Sequence, residues 1–361
     1  MSRNGNNEAL VERKYAVVPG DGIGVDVTRE AVKVLDAVAA AGGLRLRLDS
    51  FDYGAERYLR TGETLPPDAL PRFSTYDEVF MGAFGDPRVP DMRHATDILL
   101  GTRFKLDLYA NIRPIRCLNE RLCPLRSFSA SDIDFVVLRE NTEGLYVGMG
   151  GIFKKGTTDE VAVQEDVNTR KGVERIIRHS FDYARAHGRT KVTMADKSNA
   201  LRFGHDLWQR AFAEISSEYP EIESNHLYID ALAMQMIRAP RQFDVIVTCN
   251  MFGDIITDLG AALQGGLGMA ASGNLRLEGS SMFEPVHGSA PKYAGKDVAN
   301  PFGAILTAAM MLEHTGLVDA ARPIESAVVA CLEARECTAD VGGSLGTAAT
   351  GDAVVRRILG S

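Results

Sequence analysis

Tyr15-Ala-Val-Val-Pro-Gly20-Asp-Gly-Ile-Gly24 runs a short apolar strand into a glycine turn, and beyond it Val27, Ala31, Val34, Leu35 and Val38 recur at helical spacing. Leu44, Leu46 and Leu48 then alternate with Arg45 and Arg47, the period of a half-buried strand. Strand, helix, strand in this order is a β-α-β opening. The glycines fall as G-x-G-x-G and not as the G-x-G-x-x-G of a dinucleotide fingerprint. A Rossmann reading is therefore weak, and glycines that merely permit a tight strand-to-helix turn account for the pattern.

Further strand candidates, most followed by helical patterns, are Asp134 to Leu138, Lys191 to Met194, His226 to Ile229 and Asp244 to Cys249. Such alternation predicts an α/β protein with much parallel sheet. The 361 residues suffice for two domains or one large unit with insertions. With no repeat and no low-complexity linker, a second domain is expected as an insertion. Residues 1 to about 13 are polar and read as a frayed tail. Val147 to Val167, with Gly148, Gly150, Gly151 and a Lys154-Lys-Gly156 turn, reads as a hairpin. It is either an arm packed on a second subunit or a surface hairpin folded back on its own domain.

The composition, 45% hydrophobic and 24% charged, excludes collagen-like and wholly disordered chains. A net charge of -8 without a basic run argues against nucleic acid as a partner. The apolar stretch Ala304 to Leu312 falls far short of the ~20 residues of a membrane span, and Met1 to Asn7 lacks the apolar run of a signal peptide. A cytoplasmic protein with no membrane partner is expected. Cys117, Cys123, Cys249, Cys331 and Cys337 form no C-x-x-C pair and are odd in number, which predicts reduced thiols rather than a disulfide framework or a zinc site.

Asp254 and Asp258 lie four apart after an apolar strand and would share one helix face. A hard cation such as Mg²⁺ or Mn²⁺ would relieve their repulsion, with Asp230 as a possible third ligand; acids placed to suit the helix dipole are the competing account. Arg103, Arg113 and Arg139 are suited to gripping carboxylates or phosphates, or else to surface ion pairs. Lys197 and Tyr146 follow strand ends and offer a base and a proton donor, unless they are ordinary loop residues.

Together Gly20 to Gly24, Leu106-Asp-Leu-Tyr-Ala-Asn-Ile-Arg-Pro114, Arg139-Glu-Asn-Thr-Glu-Gly144 with Tyr146, Asp196-Lys-Ser-Asn199, Asn250 to Asp258, and Glu284-Pro-Val-His-Gly-Ser-Ala-Pro291 with Ala299-Asn-Pro301 resemble one family. It is that of the metal-dependent β-decarboxylating dehydrogenases, which act on 3-isopropylmalate, isocitrate, homoisocitrate, tartrate and D-malate. The resemblance runs from about Tyr15 to the C-terminus. It implies an isopropylmalate dehydrogenase-like α/β fold, not a Rossmann fold. A discontinuous large cofactor-binding domain, 1–108 and 265–361, would surround a small domain, 109–264, that carries the metal ligands and a dimerisation arm. It also implies a homodimer. Asp254 and Asp258 of one subunit and Asp230 of the other would hold Mg²⁺ or Mn²⁺, and Arg103, Arg113 and Arg139 would fix the substrate carboxylates. Lys197, reaching across the dimer, would help remove the hydroxyl proton, and Tyr146 would protonate the carbon after CO₂ leaves. The adenosine loop maps onto His287 to Asn300, with His287, Gly288, Lys292, Tyr293 and Asn300 as cofactor contacts.

Ala290-Pro-Lys-Tyr293 departs from the Ala-Pro-Asp of many NAD-linked members and resembles NADP-linked isocitrate enzymes, but the Tyr and Arg that would hold a 2′-phosphate are not evident in Thr338 to Gly343. NAD is favoured and NADP stays open. Leu99 and Leu100 before Arg103 resemble the apolar pair that receives an isopropyl group, and an apolar pocket leaves a third carboxylate unpaired. The expected substrate is therefore 3-isopropylmalate, with tartrate or D-malate next and isocitrate or homoisocitrate after them. A non-catalytic regulatory subunit is disfavoured because Tyr146, Lys197, Asp230, Asp254 and Asp258 are all present.

Overall fold

The structure, a computed structural model, describes residues 12–360. The chain forms two compact units: one takes the chain up to Ile98 and again from Met282, and the other is Leu99–Ser281.

In chain order the first unit holds β1 (Glu12–Gly20), α1 (Ile23–Gly42), β2 (Arg45–Ser50), α2 (Ala55–Thr61), α3 (Ala69–Phe73) and β3 (Glu78–Ala83), and the unit boundary falls inside α4 (Arg93–Lys105). β1 is parallel to β2 on one side and to β3 on the other. The predicted stripe of α1 is the buried one: Val27, Ala31, Val34, Leu35 and Val38 are all at most 2% exposed. Glu12 and Arg13, expected in a frayed tail, are instead the first residues of β1, paired with Arg45 and Leu46; the rest of that tail, with Met1 to Asn7, lies outside the described residues. The turn after β1 shows why it is glycine-rich. Gly20 and Gly22 take φ of +75° and +57°, and a Cβ on Gly24 would come within 2.5 Å of the backbone of Ala83. Asp21 at its centre accepts hydrogen bonds from the backbone N–H of Ala55 and Gly85 and from His94 Nε2.

The second unit contains β4 (Ala110–Arg116), β5 (Asp134–Glu140), β6 (Gly150–Phe153), β7 (Val161–Gln164), α5 (Arg170–Ala186), β8 (Lys191–Asp196), α6 (Gly204–Ser216), β9 (Glu223–Tyr228), α7 (Ile229–Arg238), β10 (Val245–Thr248), α8 (Asn250–Leu263) and β11 (Ala271–Leu275). Its strands lie in the order β11-β4-β5-β10-β8-β9. β5, β10, β8 and β9 are parallel, as the alternation predicts, whereas β4 is antiparallel to both its neighbours. Ile115, Phe135, Val137, Ile246, Leu232 and Met236 form part of one apolar core with Ile256 and Leu263 of α8. β6 and β7 pair as the hairpin expected between Val147 and Val167, and all eight of their residues are exposed. The first unit resumes with β12 (Ser281–Pro285), α9 (Phe302–His314), α10 (Val318–Glu333) and α11 (Thr347–Leu359). Helices α9, α10 and α11 all pack against α1. Among the described residues no helix is long and apolar enough to cross a membrane, and none of the five cysteines is in a disulfide.

Candidate active site

The second unit gathers its chemistry where β4, β5 and the N-terminal half of α8 meet. Arg139, next to last in β5 and 1% exposed, lies opposite Asn111 of β4, and Arg113 stands two residues along that strand. Gly253 lets α8 come this close, since a Cβ there would fall 2.5 Å from Cγ of Arg139. One face of α8 then holds both guanidinium groups. Asn250 Oδ1 accepts from Arg139 Nε and Nη2 at 3.0 and 2.7 Å, and Asp254 Oδ1 accepts from Arg139 Nη1 at 2.5 Å and from Arg113 Nη2 at 3.4 Å. Thr257 Oγ1 accepts from Arg113 Nη1 at 2.5 Å, and Asn111 Oδ1 accepts from its Nε at 2.8 Å.

Tyr146 joins the same group: its O–H donates to Asp254 Oδ2 at 3.0 Å, and the Arg139 guanidinium lies 5.3 Å from its ring centre. Arg103, buried near the end of α4, adds its field to Arg139, Tyr146 and Asp254. The site is strongly cationic around one acid. Burial works against the charge of Asp254, but Arg139 and then Arg113 hold its carboxyl below the usual carboxylate range. Partial burial and then the charge of Asp254 push Asp258 up. Burial and the same charge raise Tyr146, which keeps its proton available for donation.

Lys197 and Asp230 are brought together with each other but not with this group. Lys197 Nζ is 2.8 Å from Asp230 Oδ1, a bond that lowers the Asp230 carboxyl, and the Lys197 amide donates to His205 Nδ1 at 2.9 Å. Among the described residues no three His, Cys, Asp or Glu side chains of the single chain gather as a metal site.

The first unit holds the other predicted residues. His287 is buried beside β12, where its Nδ1–H donates to Gly288 C=O at 3.1 Å while its Nε2 is buried without a hydrogen-bond partner. Burial lowers its pKa, so the ring is neutral and that nitrogen is an acceptor awaiting a donor. Asn300 Nδ2 donates to Asp340 Oδ2 at 3.0 Å. Gly288, Lys292 and Tyr293 are exposed, with Lys292 Nζ 4.7 Å from the Tyr293 ring centre. The β1–α1 turn is tied to this loop, because the Ile23 amide donates to Ser289 C=O at 2.7 Å.

An α/β chain in which one unit interrupts the other, with arginines clustered at a helix that carries two carboxylates, has the features of an enzyme that handles small polycarboxylates. Residues 14–354 match the model of the isocitrate/isopropylmalate dehydrogenase family. The chain is 47% identical over 347 residues to a 3-isopropylmalate dehydrogenase of Thermobifida fusca, covering 96% of this chain and 97% of that protein. It is 48% identical over 328 residues to a 3-isopropylmalate dehydrogenase of Nocardia farcinica, covering 90% and 96%. The crystal structure of an isocitrate dehydrogenase from Methylococcus capsulatus superposes with a TM-score of 0.88 at 40% identity, covering 96% of this chain and 99% of that one. The chain belongs to the isocitrate/isopropylmalate dehydrogenase family and is an NAD(P)-dependent decarboxylating dehydrogenase with that family's fold.

Sequence reasoning missed Asn250, Thr257 and Asn111, which hold the arginines. The signal was present for two of them: Asn250 and Thr257 stand four before and three after Asp254 and so share its helix face.

Proposed function

We propose that the protein oxidatively decarboxylates a 2-hydroxy diacid, 3-isopropylmalate, as a homodimer using NAD and Mg²⁺ or Mn²⁺. The observation that carries this reading is the placement of Asp254 between Arg113, Arg139 and Tyr146, with Asp258 one turn on. The donor set suits a hard cation: both groups are carboxylates, and the upward push on Asp258 by its neighbour is a repulsion that such an ion removes. Asp254 and Asp258, with Asp230 of a second copy, would hold it, and when bound it would polarise the hydroxyl and stabilise negative charge developing on oxygen. The unpartnered His287 Nε2 likewise suits a nucleotide base, and NAD held by His287, Gly288, Lys292, Tyr293 and Asn300 would take up the hydride. NAD is favoured over NADP for the 2′-position.

Arg103, Arg113 and Arg139 bind and orient the malate carboxylates. Lys197 of the second copy accepts the hydroxyl proton, and the Tyr146 O–H supplies the proton to carbon after CO₂ departs. Leu99, on α4 one turn before Arg103 and half-buried, receives the alkyl branch. The second copy is supported by the apolar surface of this unit: Ile152, Phe153, Met234, Ile237 and Ile255 are all exposed. Initial rates with NAD or NADP and each divalent ion, for 3-isopropylmalate, D-malate, tartrate and isocitrate, test the reading; no turnover of any 2-hydroxy diacid would overturn it.

A further inference from the structure

Arg139 has five N–H groups, and three are committed inside the chain. Nε–H and one Nη2–H converge on the single oxygen of Asn250, and one Nη1–H goes to Asp254 Oδ1. What remains is one N–H on each Nη nitrogen, two donors left for a carboxylate. Asn250 therefore fixes which edge of the guanidinium is offered. Its other end acts on a second element: Nδ2 donates to the backbone C=O of Glu143 at 3.0 Å. Glu143 is itself tied down, since its carboxylate accepts from the amide and hydroxyl of Thr169 at the start of α5. Three residues after Glu143 comes Tyr146, bonded to Asp254. Asn250 is 2% exposed, so water does not substitute for either contact.

We infer that Asn250 is a positioning residue that sets the carboxylate-facing edge of Arg139 and holds the Tyr146 loop in register with it. Only an amide of this length does both, because one end must accept from a cation while the other donates to a carbonyl. Aspartate keeps the acceptor, loses the donor and places a negative charge on the guanidinium that the substrate carboxylate must use. The inference rests on the functional reading above.

The test compares wild type, Asn250→Asp and Asn250→Ala as full-length proteins. Asn250→Asp keeps Arg139 paired but leaves the Glu143 carbonyl without its donor, so it should melt below wild type and above Asn250→Ala, while its KM for the diacid should rise on the order of ten- to hundredfold with KM for NAD unchanged. Asn250→Ala should show the same rise and a lower melting temperature, because two buried N–H groups lose their acceptor. A wild-type diacid KM in Asn250→Asp, or equal losses in kcat, both KM values and melting temperature, would overturn the inference. If the wild type turns over no 2-hydroxy diacid, the functional reading fails instead, and calorimetry with malate decides the inference separately. Binding to wild type that is lost in Asn250→Asp supports it, and equal binding, or none to either protein, overturns it.

Discussion

Lys197 Nζ stands 2.8 Å from Asp230 Oδ1, and neither side chain bonds to Asp254, Asp258 or the three arginines within the chain. The two residues expected to act as base and third ligand are thus presented together, on the same unit that exposes its apolar arm and helix faces. The proposed site, completed by a second copy, would account for both features.

Subunit mixing checks this directly. Lys197→Ala and Asp258→Asn should each be inactive alone. If Lys197 serves the partner's site, a heterodimer of the two carries both lesions in one site and leaves the other intact. Random exchange should then restore about a quarter of wild-type activity, half the dimers being mixed with one working site of two. No recovery after exchange has been demonstrated by mass spectrometry would mean that each site is built within one chain.

Removal of the cation should abolish turnover, and Asp258→Asn should weaken Mn²⁺ binding by about tenfold or more, because ligand charge sets affinity at an oxygen site. Asp258 is the cleaner probe. Asp254→Asn also takes the counter-charge from buried Arg139 and half-buried functions around it, so it should lower the melting temperature as well. Mn²⁺ titration of the apoenzyme, followed by EPR, separates the two effects; unchanged affinity in Asp258→Asn would remove that residue from the metal site.

Burial raises Glu140, at the end of β5, to about 7 although two amides and the Thr142 hydroxyl donate to it. A carboxyl whose folded pKa lies above its unfolded value of about 4.5 binds more protons in the native state between those two values. Stability from this group is therefore greatest at low pH and falls as pH rises toward 7. Denaturant unfolding at pH 5 and pH 8 should show the difference in stability between wild type and Glu140→Gln changing by about 2–3 kcal/mol, with wild type the one that loses on raising the pH. A constant difference would show that Glu140 is ionised throughout.

The elements legible in the sequence were those whose burial left a periodic trace. The α1 stripe and the run before Asn250 are of this kind, and so is the β6–β7 hairpin, marked by its glycines. β3 escaped because Glu78 to Ala83 is buried on both faces and shows no alternation. β4 escaped for the opposite reason, since Asn111, Arg113 and Pro114 break any apolar pattern; Asn111 and Arg113 are held by side chains more than 100 positions away. Residue chemistry announced the carboxylates and arginines, whereas the amide that orients Arg139 is defined only once β5 and α8 lie side by side.

The choice of substrate rests on α4. Leu99 and Arg103 are separated by one helical turn, and both lie within the second unit, Leu99 half-buried and Arg103 buried. A diacid held through its carboxylates by the arginines would meet Leu99 with whatever its third carbon carries. An isopropyl branch gains from that contact, while a carboxylate there is left desolvated and unpaired. Apolar pocket contacts discriminate by about 1–3 kcal/mol, so Leu99→Ala should lower kcat/KM for 3-isopropylmalate by about tenfold or more and leave D-malate, which has no branch, little changed. The two substrates respond differently only if Leu99 touches the branch; a loss of packing alone would lower both together. Steady-state kinetics of wild type and Leu99→Ala on 3-isopropylmalate, D-malate and isocitrate provide the measurement. A wild-type preference for isocitrate, or an equal fall on both malates, would move the alkyl pocket away from Leu99.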